Sequence, residues 1–127
     1  MTATRPYSLM VVDDERAILN LLGRLLEARG HEVQLCHAGT AALIDMPEPP
    51  PDGIITDINM LGTDGLALAR ELRSTAALKD IKIIAISGDT DDATKAAITE
   101  AGADAFIGKP INPTTFAEQI EAILQGA

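Results

Sequence analysis

Short apolar runs alternate along the chain with longer segments in which apolar residues recur at the spacing of a helix face. The short runs have the length and composition of buried β-strands, and the longer segments have the pattern of amphipathic α-helices. The predicted strands are residues 9–12, 33–35, 54–55, 81–86 and 105–107. This alternation predicts a parallel sheet with helices on both of its faces.

The clearest predicted helix follows Asp14, and Gly30 is its expected stop. The face that we expect to turn inward carries Ile18, Leu21, Leu22, Leu25 and Leu26. Other helices are predicted at about 64–74, 91–101 and 113–125, with a short one at 40–46. The segment 91–101 offers mainly alanines and Ile98 for packing, so we expect this helix to be loosely held.

Five strand-helix units in 127 residues predict one α/β domain, residues 1–127, with a doubly wound five-stranded parallel sheet. The expected arrangement is the flavodoxin-like (βα)5 fold with strand order 2-1-3-4-5. In such sheets ligands bind beyond the carboxyl ends of the strands. The polar residues at those ends are Asp13, Asp14, Asp57, Ser87 and Lys109.

Composition narrows the classes of partner. The chain has 19 acidic and 10 basic residues, a net charge of −9 that repels phosphate backbones, so we expect no direct binding of nucleic acid. Neither a signal peptide nor an apolar run of membrane-spanning length is present in the sequence, which predicts a cytoplasmic protein without a membrane partner. Cys36 is expected to be a buried structural thiol, and His31 and His37 surface or strand residues.

Asp57 interrupts an apolar stretch, residues 53–60, and an ionised carboxylate there needs a compensating charge. Two further carboxylates, Asp13 and Asp14, follow the first predicted strand. Three carboxylates make a site for a hard cation with oxygen ligands, and Mg²⁺ is the usual choice where a phosphate is also held. The pattern therefore predicts a magnesium site at this edge of the sheet.

Other groups at the same edge suit a phosphoryl ligand. Lys109 supplies a point charge and Ser87 a hydroxyl, while Gly62 and Gly65 let backbone amides approach a ligand closely. In this interpretation the metal and Lys109 compensate the charge of Asp57, and the Asp57 carboxylate is placed to act as a nucleophile.

Four motifs occur in a characteristic order: VVDDE at 11–15, TDINMLGTDG at 56–65, IIAISGD at 83–89 and GADAFIGKP at 102–110. With them the sequence resembles the receiver domains of two-component response regulators, in particular the stand-alone chemotaxis-regulator type. The resemblance implies a phosphorylation-dependent signalling switch that takes a phosphoryl group from a histidine kinase or a histidine phosphotransfer protein. It implies no enzyme beyond catalysis of its own phosphorylation and dephosphorylation.

The resemblance also implies roles for individual residues. Asp57 would be the phosphoacceptor, and Asp13 and Asp14 the acidic pair around Mg²⁺. Asp57 would supply the third protein oxygen to the metal, and the backbone carbonyl of Asn59 the fourth.

Other roles belong to the switch. Ser87 would bond one phosphoryl oxygen and Lys109 another, and Lys109-Pro110 would be a cis peptide bond. Phe106 stands where the family has its rotating aromatic residue, with plain core packing as the alternative. The signal would pass to a separate downstream protein, because no output domain lies within residues 1–127, through a surface formed by the last two helices and the strand between them.

Two residues at the rim, Asn59 and Asp89, could orient a hydrolytic water, which predicts self-dephosphorylation. The family usually has Pro where this chain has Leu61. This difference puts the stiffness of that loop in question, but it does not affect the expected chemistry.

The sequence leaves three alternatives to a receiver domain. A phosphatase resembling the haloacid dehalogenases would also use an aspartyl nucleophile and Mg²⁺, but its nucleophile ends the first strand, whereas Asp57 ends the third. A constitutive interaction module would not need the complete acidic site. A flavin-binding protein is disfavoured because the acidic first turn would repel the cofactor phosphate.

Overall fold

The computed structural model describes residues 6–58 and 65–126, in which five β-strands alternate with five α-helices. The strands are β1 (Ser8–Val12), β2 (Glu32–Cys36), β3 (Gly53–Asp57), β4 (Lys82–Ser87) and β5 (Ala105–Gly108). The helices are α1 (Arg16–Glu27), α2 (Gly39–Ile44), α3 (Gly65–Ser74), α4 (Asp92–Glu100) and α5 (Phe116–Leu124).

The strands form one parallel sheet in the order β2-β1-β3-β4-β5, which confirms the doubly wound, flavodoxin-like prediction. The register aligns the carboxyl ends of neighbouring strands. Asp57 lies opposite Ile86, and Ser87 lies opposite Gly108. The polar residues that follow the strands therefore meet along one edge of the sheet.

Successive residues of β1 pack on opposite faces of the sheet, as the pleat of a strand requires. Leu9 and Val11 pack with α1 and α5, whereas Met10 and Val12 pack with α2 and α3. Since helices cover both faces, the central strands are buried on both sides and read as continuous apolar runs.

The predicted inward face of α1 needs one correction. Leu21 is 38% exposed, and Leu19 is buried with Leu22 and Leu26 instead. Apolar residues cover a broad arc of this helix, and the residues that contact the sheet are those at the centre of the arc. Leu21 lies at the flank of the arc and reaches the surface.

The start of α5 also differs from the prediction. The helix begins at Phe116 rather than near Pro113. The Asn112 side chain accepts a hydrogen bond from the Thr114 N–H, and its carbonyl accepts one from the Phe116 N–H. These bonds form a turn ahead of the helix.

His31 is buried and precedes β2, so the expectation that it is a surface or strand residue was wrong, whereas His37 is exposed. The Tyr7 N–H donates to Nδ1 of His31 at 3.0 Å, so Nε2 carries the ring proton and donates to Glu121 at 2.8 Å. Arg29 also pairs with Glu121. Glu121 lies 90 residues from His31 in the chain, so local sequence gave no sign of this partner.

Cys36 is a buried free thiol, as expected. Among the described residues, the helices are all too short or too polar to cross a membrane.

Candidate functional site

An ion pair joins the carboxyl end of β3 to the segment that follows β5. The Lys109 Nζ donates to Oδ2 of Asp57 at 2.9 Å, and the two side chains are 27% and 7% exposed. Burial alone would lower the pKa of Lys109, but the hydrogen bond to Asp57 and its charge outweigh burial and raise it. The ammonium therefore remains protonated and compensates the buried carboxylate of Asp57 at the end of β3.

Three carboxylates crowd the same position. Oxygens of Asp13, Asp14 and Asp57 all lie within 4.8 Å of one another. Asp13 is 1% exposed, and its Oδ1 accepts a hydrogen bond from the Glu15 N–H at 2.9 Å. Burial is the main cause that raises the pKa of Asp13, and the negative charges of Asp57 and Asp14 add to it. The cluster thus holds more negative charge than Lys109 alone neutralises.

The other oxygen of Asp13, Oδ2, is buried and has no hydrogen-bond partner within the described part of the chain. A buried polar atom of this kind calls for a specific reason, such as an ion that binds there. Carboxylate oxygens are the ligands of hard divalent cations, and exposed Asp14 leaves room for water on the outer side. The acidic cluster therefore fits Mg²⁺, while Asn59, predicted to add a backbone carbonyl, lies outside the described residues.

Ser87 lies at the end of the neighbouring strand and is fully buried. Its Oγ accepts a hydrogen bond from the Asp89 N–H at 3.0 Å, and its carbonyl accepts one from the Lys109 N–H at 2.8 Å. A Cβ built on the next residue, Gly88, would meet no atom within 4 Å. The space beside Gly88 is therefore open, whereas Ser87 itself is covered.

Phe106 is half-buried on β5 and packs against the cluster formed by Ile58, Ala85 and Ile98. One side of Phe106 is therefore covered where the sheet meets α4, and the other side is in contact with solvent. The Lys109-Pro110 peptide bond is cis.

The structure brings Asp13, Asp14, Asp57 and Lys109 into one cluster. Ser87 and Asp89 stand at the end of the adjacent strand, where exposed Asp89 contributes its backbone N–H.

Gly62 lies outside the described residues, and the approach of backbone amides to a ligand at Gly65 stays a prediction, but Gly65 also has a packing role. A Cβ at this position would lie 2.3 Å from the Asp57 carbonyl oxygen and 2.7 Å from the Ile58 Cα. Gly65 therefore lets α3 start directly against the backbone of the Asp57 segment.

Comparison with known proteins adds a family match. The family described as "Response regulator receiver domain" matches residues 9–121. Response regulator MprA of Mycobacterium avium (strain 104) is 33% identical over 117 residues, which are 92% of this chain and 50% of that protein. The chain thus spans about half the length of the curated relatives it matches.

Solved structures agree with the fold and the family. A putative response regulator from Chloroflexus aurantiacus J-10-fl superposes with a TM-score of 0.88 at 30% identity, covering 95% of this chain and 99% of that one. The chemotaxis response regulator CheY4 of Vibrio cholerae superposes with a TM-score of 0.87 at 25% identity, covering 94% and 99%.

Proposed function

The chain belongs to the response regulator receiver domains, and from this premise we propose that it is a phosphorylation-dependent switch with Asp57 as the phosphoacceptor. The observation that carries the proposal is the buried Asp57 carboxylate, held by Lys109 beside two further aspartates. A carboxylate that only stabilised the fold would need its one ammonium partner and no additional negative charge nearby.

In the proposed reaction a carboxylate oxygen of Asp57 attacks the phosphorus of a phosphohistidine on a donor protein. The new O–P bond forms as the N–P bond breaks, and the electron pair of that bond stays on the donor imidazole. Lys109 holds the Asp57 carboxylate in place and offers its ammonium to the phosphoryl oxygens. Phosphoryl transfer needs mainly positioning and neutralisation of charge, which this arrangement provides.

Asp13, Asp14 and Asp57, with the backbone carbonyl of Asn59, would hold Mg²⁺. The ion, when bound, supplies positive charge next to the transferring phosphoryl group. The chain's own contribution is the set of oxygens, including the buried Oδ2 of Asp13.

The phosphoryl group would then act on the neighbouring strand. An aspartyl phosphate brings new negative charge and acceptor oxygens, to one of which the Ser87 hydroxyl can donate. If the hydroxyl rotates in this way, the hydrogen bond that the Ser87 Oγ accepts from the Asp89 N–H would change. Phe106 would turn into the space that Ser87 leaves, and α4, whose one fully buried residue is Ile98, would shift.

A groove of about 450 Å³ beside Lys109 supports a protein as the phosphodonor. It is lined by Ile18, Leu21 and Ile111, and it also includes Pro110. An apolar side chain of a histidine kinase or a phosphotransfer protein could dock there while its phosphohistidine faces Asp57. Its exposed apolar lining next to the reacting groups is what a transient docking site needs.

On the output side, we propose a separate downstream protein that contacts α4, β5 and α5, the surface to which Phe106 belongs. One receiver domain across residues 1–127 is part of this proposal. So are a cytoplasmic location and the absence of direct contact with nucleic acid, which the net charge of −9 disfavours.

The lifetime of the phosphoryl group is part of the same proposal. Asp89 at the rim, with Asn59, would orient the water that hydrolyses the acyl phosphate. The variants Asp89→Ala and Asn59→Ala should therefore change the rate at which the adduct decays, and an unchanged decay rate would remove this role.

Intact mass spectrometry after incubation with a small phosphodonor and Mg²⁺ tests the proposal. We expect one phosphoryl adduct that is stable in acid and labile in base, absent without Mg²⁺ and absent in Asp57→Asn. The matched control is Asp80→Asn, an exposed aspartate in the loop before β4, which should be modified like the parent. No adduct on the parent, with hydrogen exchange unresponsive to beryllofluoride, would instead favour a constitutive interaction module, and steady release of phosphate from free esters would favour a phosphatase.

A further inference from the structure

The two ends of α4 are held in very different ways. At the carboxyl end Ile98 and Ala101 are 2% and 3% exposed. The Gly102 N–H donates to the Thr99 carbonyl at 3.0 Å and the Ala103 N–H to the Ile98 carbonyl at 3.2 Å. These are the two bonds of a Schellman motif, with Gly102 at φ +105° in the position that favours glycine. This end of the helix is closed and packed.

Arg73, in the last turn of α3, binds the chain just after α4. Its Nε donates to the Gly102 carbonyl at 2.8 Å, and its Nη2 forms an ion pair with Asp104. Its Nη1 donates to the carbonyls of Lys79 and Ile81, both at 2.7 Å. We call this set of five residues the Arg73 clamp. The planar fork of a guanidinium can serve several fixed acceptors at once, whereas an ammonium cannot match that geometry.

The clamp is close-fitting at the glycine. A Cβ built on Gly102 would lie 2.6 Å from Cγ of Arg73, so the arginine stem packs directly against the glycine backbone. Asp104 extends the clamp to the sheet, because its Oδ2 also accepts from the Ile83 N–H at 2.9 Å and its own N–H donates to the Ile83 carbonyl at 2.8 Å. The clamp therefore ties the end of α4 to α3 and to the start of β4.

The amino end of α4 has no comparable attachment within the described residues. Residues 88–93 are all exposed. Asp91 caps the helix by accepting a hydrogen bond from the Thr94 N–H at 2.7 Å, a bond internal to the segment. The bond that links this segment to the site runs from the Asp89 N–H to the Ser87 Oγ. This end is thus coupled to the hydroxyl that the proposed phosphoryl group would draw away.

We propose that Arg73 makes the carboxyl end of α4 a fixed pivot, so that phosphorylation displaces the amino end of the helix while residues 99–105 stay in place. This inference rests on the proposed switch and assigns Arg73 as a positioning residue. The Arg73 clamp lies at the amino ends of β4 and β5, opposite the edge that carries Asp57, so it can direct the motion without touching the reacting groups.

Hydrogen exchange measured by mass spectrometry, with and without beryllofluoride and Mg²⁺, tests the pivot in the full chain. In the parent we expect a change in residues 88–95 and none in 99–105. In Arg73→Lys, which keeps the charge and loses the fork, we expect the beryllofluoride-induced change to spread into 99–105. Arg70→Lys, an exposed arginine one turn earlier on α3, is the matched control and should behave like the parent.

The comparison separates a pivot from a merely stabilising residue. If Arg73 only stabilised the fold, Arg73→Lys would raise exchange in 99–105 equally with and without beryllofluoride, and that result overturns the pivot. A response of 99–105 in the parent overturns it as well, while leaving the switch intact. No response anywhere in the parent overturns the proposed function itself. Should Arg73→Lys not fold, Asp104→Asn removes the ion pair but keeps an acceptor for the Ile83 N–H, and the same outcomes apply.

Discussion

At the scale of single residues, Asp13 shows the tension between stability and function most directly. Its carboxylate is buried beside two others, one of its oxygens has no hydrogen-bond partner among the described residues, and burial raises its pKa. Such a charge destabilises the fold unless a cation binds it. The presence of a carboxylate at this position is therefore explained by the ion it would bind and not by the stability of the fold.

Replacement of Asp13 by Asn should stabilise the metal-free protein. The amide retains an acceptor for the Glu15 N–H and removes one buried charge, so we expect the free energy of unfolding without Mg²⁺ to rise by about 1 kcal/mol. Added Mg²⁺ should stabilise the parent and have little effect on the variant. Urea unfolding with and without Mg²⁺ measures both, with Asp80→Asn as the control, and an Mg²⁺ response equal to that of the parent would contradict the assignment.

A second residue-scale prediction concerns Glu121 and pH. The hydrogen bond from Arg29 is the main cause that lowers the pKa of this carboxyl, and the bond from His31 adds to it, while burial acts in the opposite direction. A carboxyl whose pKa is lower in the folded state contributes stability above its unfolded value, and that contribution is lost as pH falls through the folded pKa.

The parent should therefore lose more stability than Glu121→Gln as pH falls below the ordinary glutamate value of 4.5. Urea unfolding of the two proteins at pH 7 and at several values below 4.5 gives the difference in free energy between them. This difference should shrink on acidification, and a constant difference would mean that the Arg29 bond does not stabilise the charged form.

Sequence reasoning at this scale succeeded where a residue's role follows from its strand. The main candidate residues, Asp13, Asp14, Asp57, Ser87 and Lys109, were placed at strand ends. The structure puts Asp13, Asp57 and Lys109 together because parallel strands end at one edge. The His31 and Glu121 pair was missed because it joins the segment before β2 to a residue within α5, far apart in the chain. The Asp13 oxygen that lacks a hydrogen-bond partner among residues 6–58 and 65–126 could also be identified only from side-chain positions.

At the scale of elements, the start of α3 is set by Gly65. The helix begins so close to the end of β3 that any side chain at this position would overlap the backbone of Asp57 and Ile58. The close approach holds the phosphoacceptor segment between the sheet and a helix. Sequence patterns located the helix, but they could not show which backbone atoms a side chain at Gly65 would overlap.

Gly65→Ala should therefore destabilise the fold even though alanine is the better helix former. Overlap with the Asp57 carbonyl must be relieved by a shift of α3, at a cost of about 2 kcal/mol. Gly88→Ala is the matched control, because a Cβ there meets no atom within 4 Å and stability should change little. Thermal or urea unfolding compares the two, and equal stabilities would refute the packing argument.

The elements were predicted to within a few residues because strand and helix periods differ strongly in this sequence. Two details were predicted wrongly. Leu21 was placed on the inner face, which depends on packing, and α5 was predicted to start near Pro113, where a local turn at Asn112 precedes the helix instead. The loose hold on α4 was predictable, since the sequence offers it little apolar surface. Its fixed carboxyl end was not, because the Arg73 clamp is made by contacts between distant segments.

At the scale of the whole molecule, the two ends of the sheet have different tasks. The carboxyl edge carries the acidic cluster and exposed loops, whereas the amino edge carries the Arg73 clamp and the group formed by Arg29, His31 and Glu121. Side-chain bonds hold the amino edge, and the acidic residues lie at the carboxyl edge. This division suits a domain that converts one covalent change into a local displacement. The topology was predictable because five strand-helix units leave few ways to form a doubly wound sheet.

Location of the phosphoryl group within the chain tests the central claim most directly. Reduction of an acyl phosphate by borodeuteride releases phosphate and converts that aspartate to deuterated homoserine, which peptide mass spectrometry can place at one residue. We predict a single label at Asp57 after incubation with phosphodonor and Mg²⁺, and none when Mg²⁺ is removed. A label at Asp13, Asp14 or Asp89, or no label on a protein that remains folded, would contradict the account.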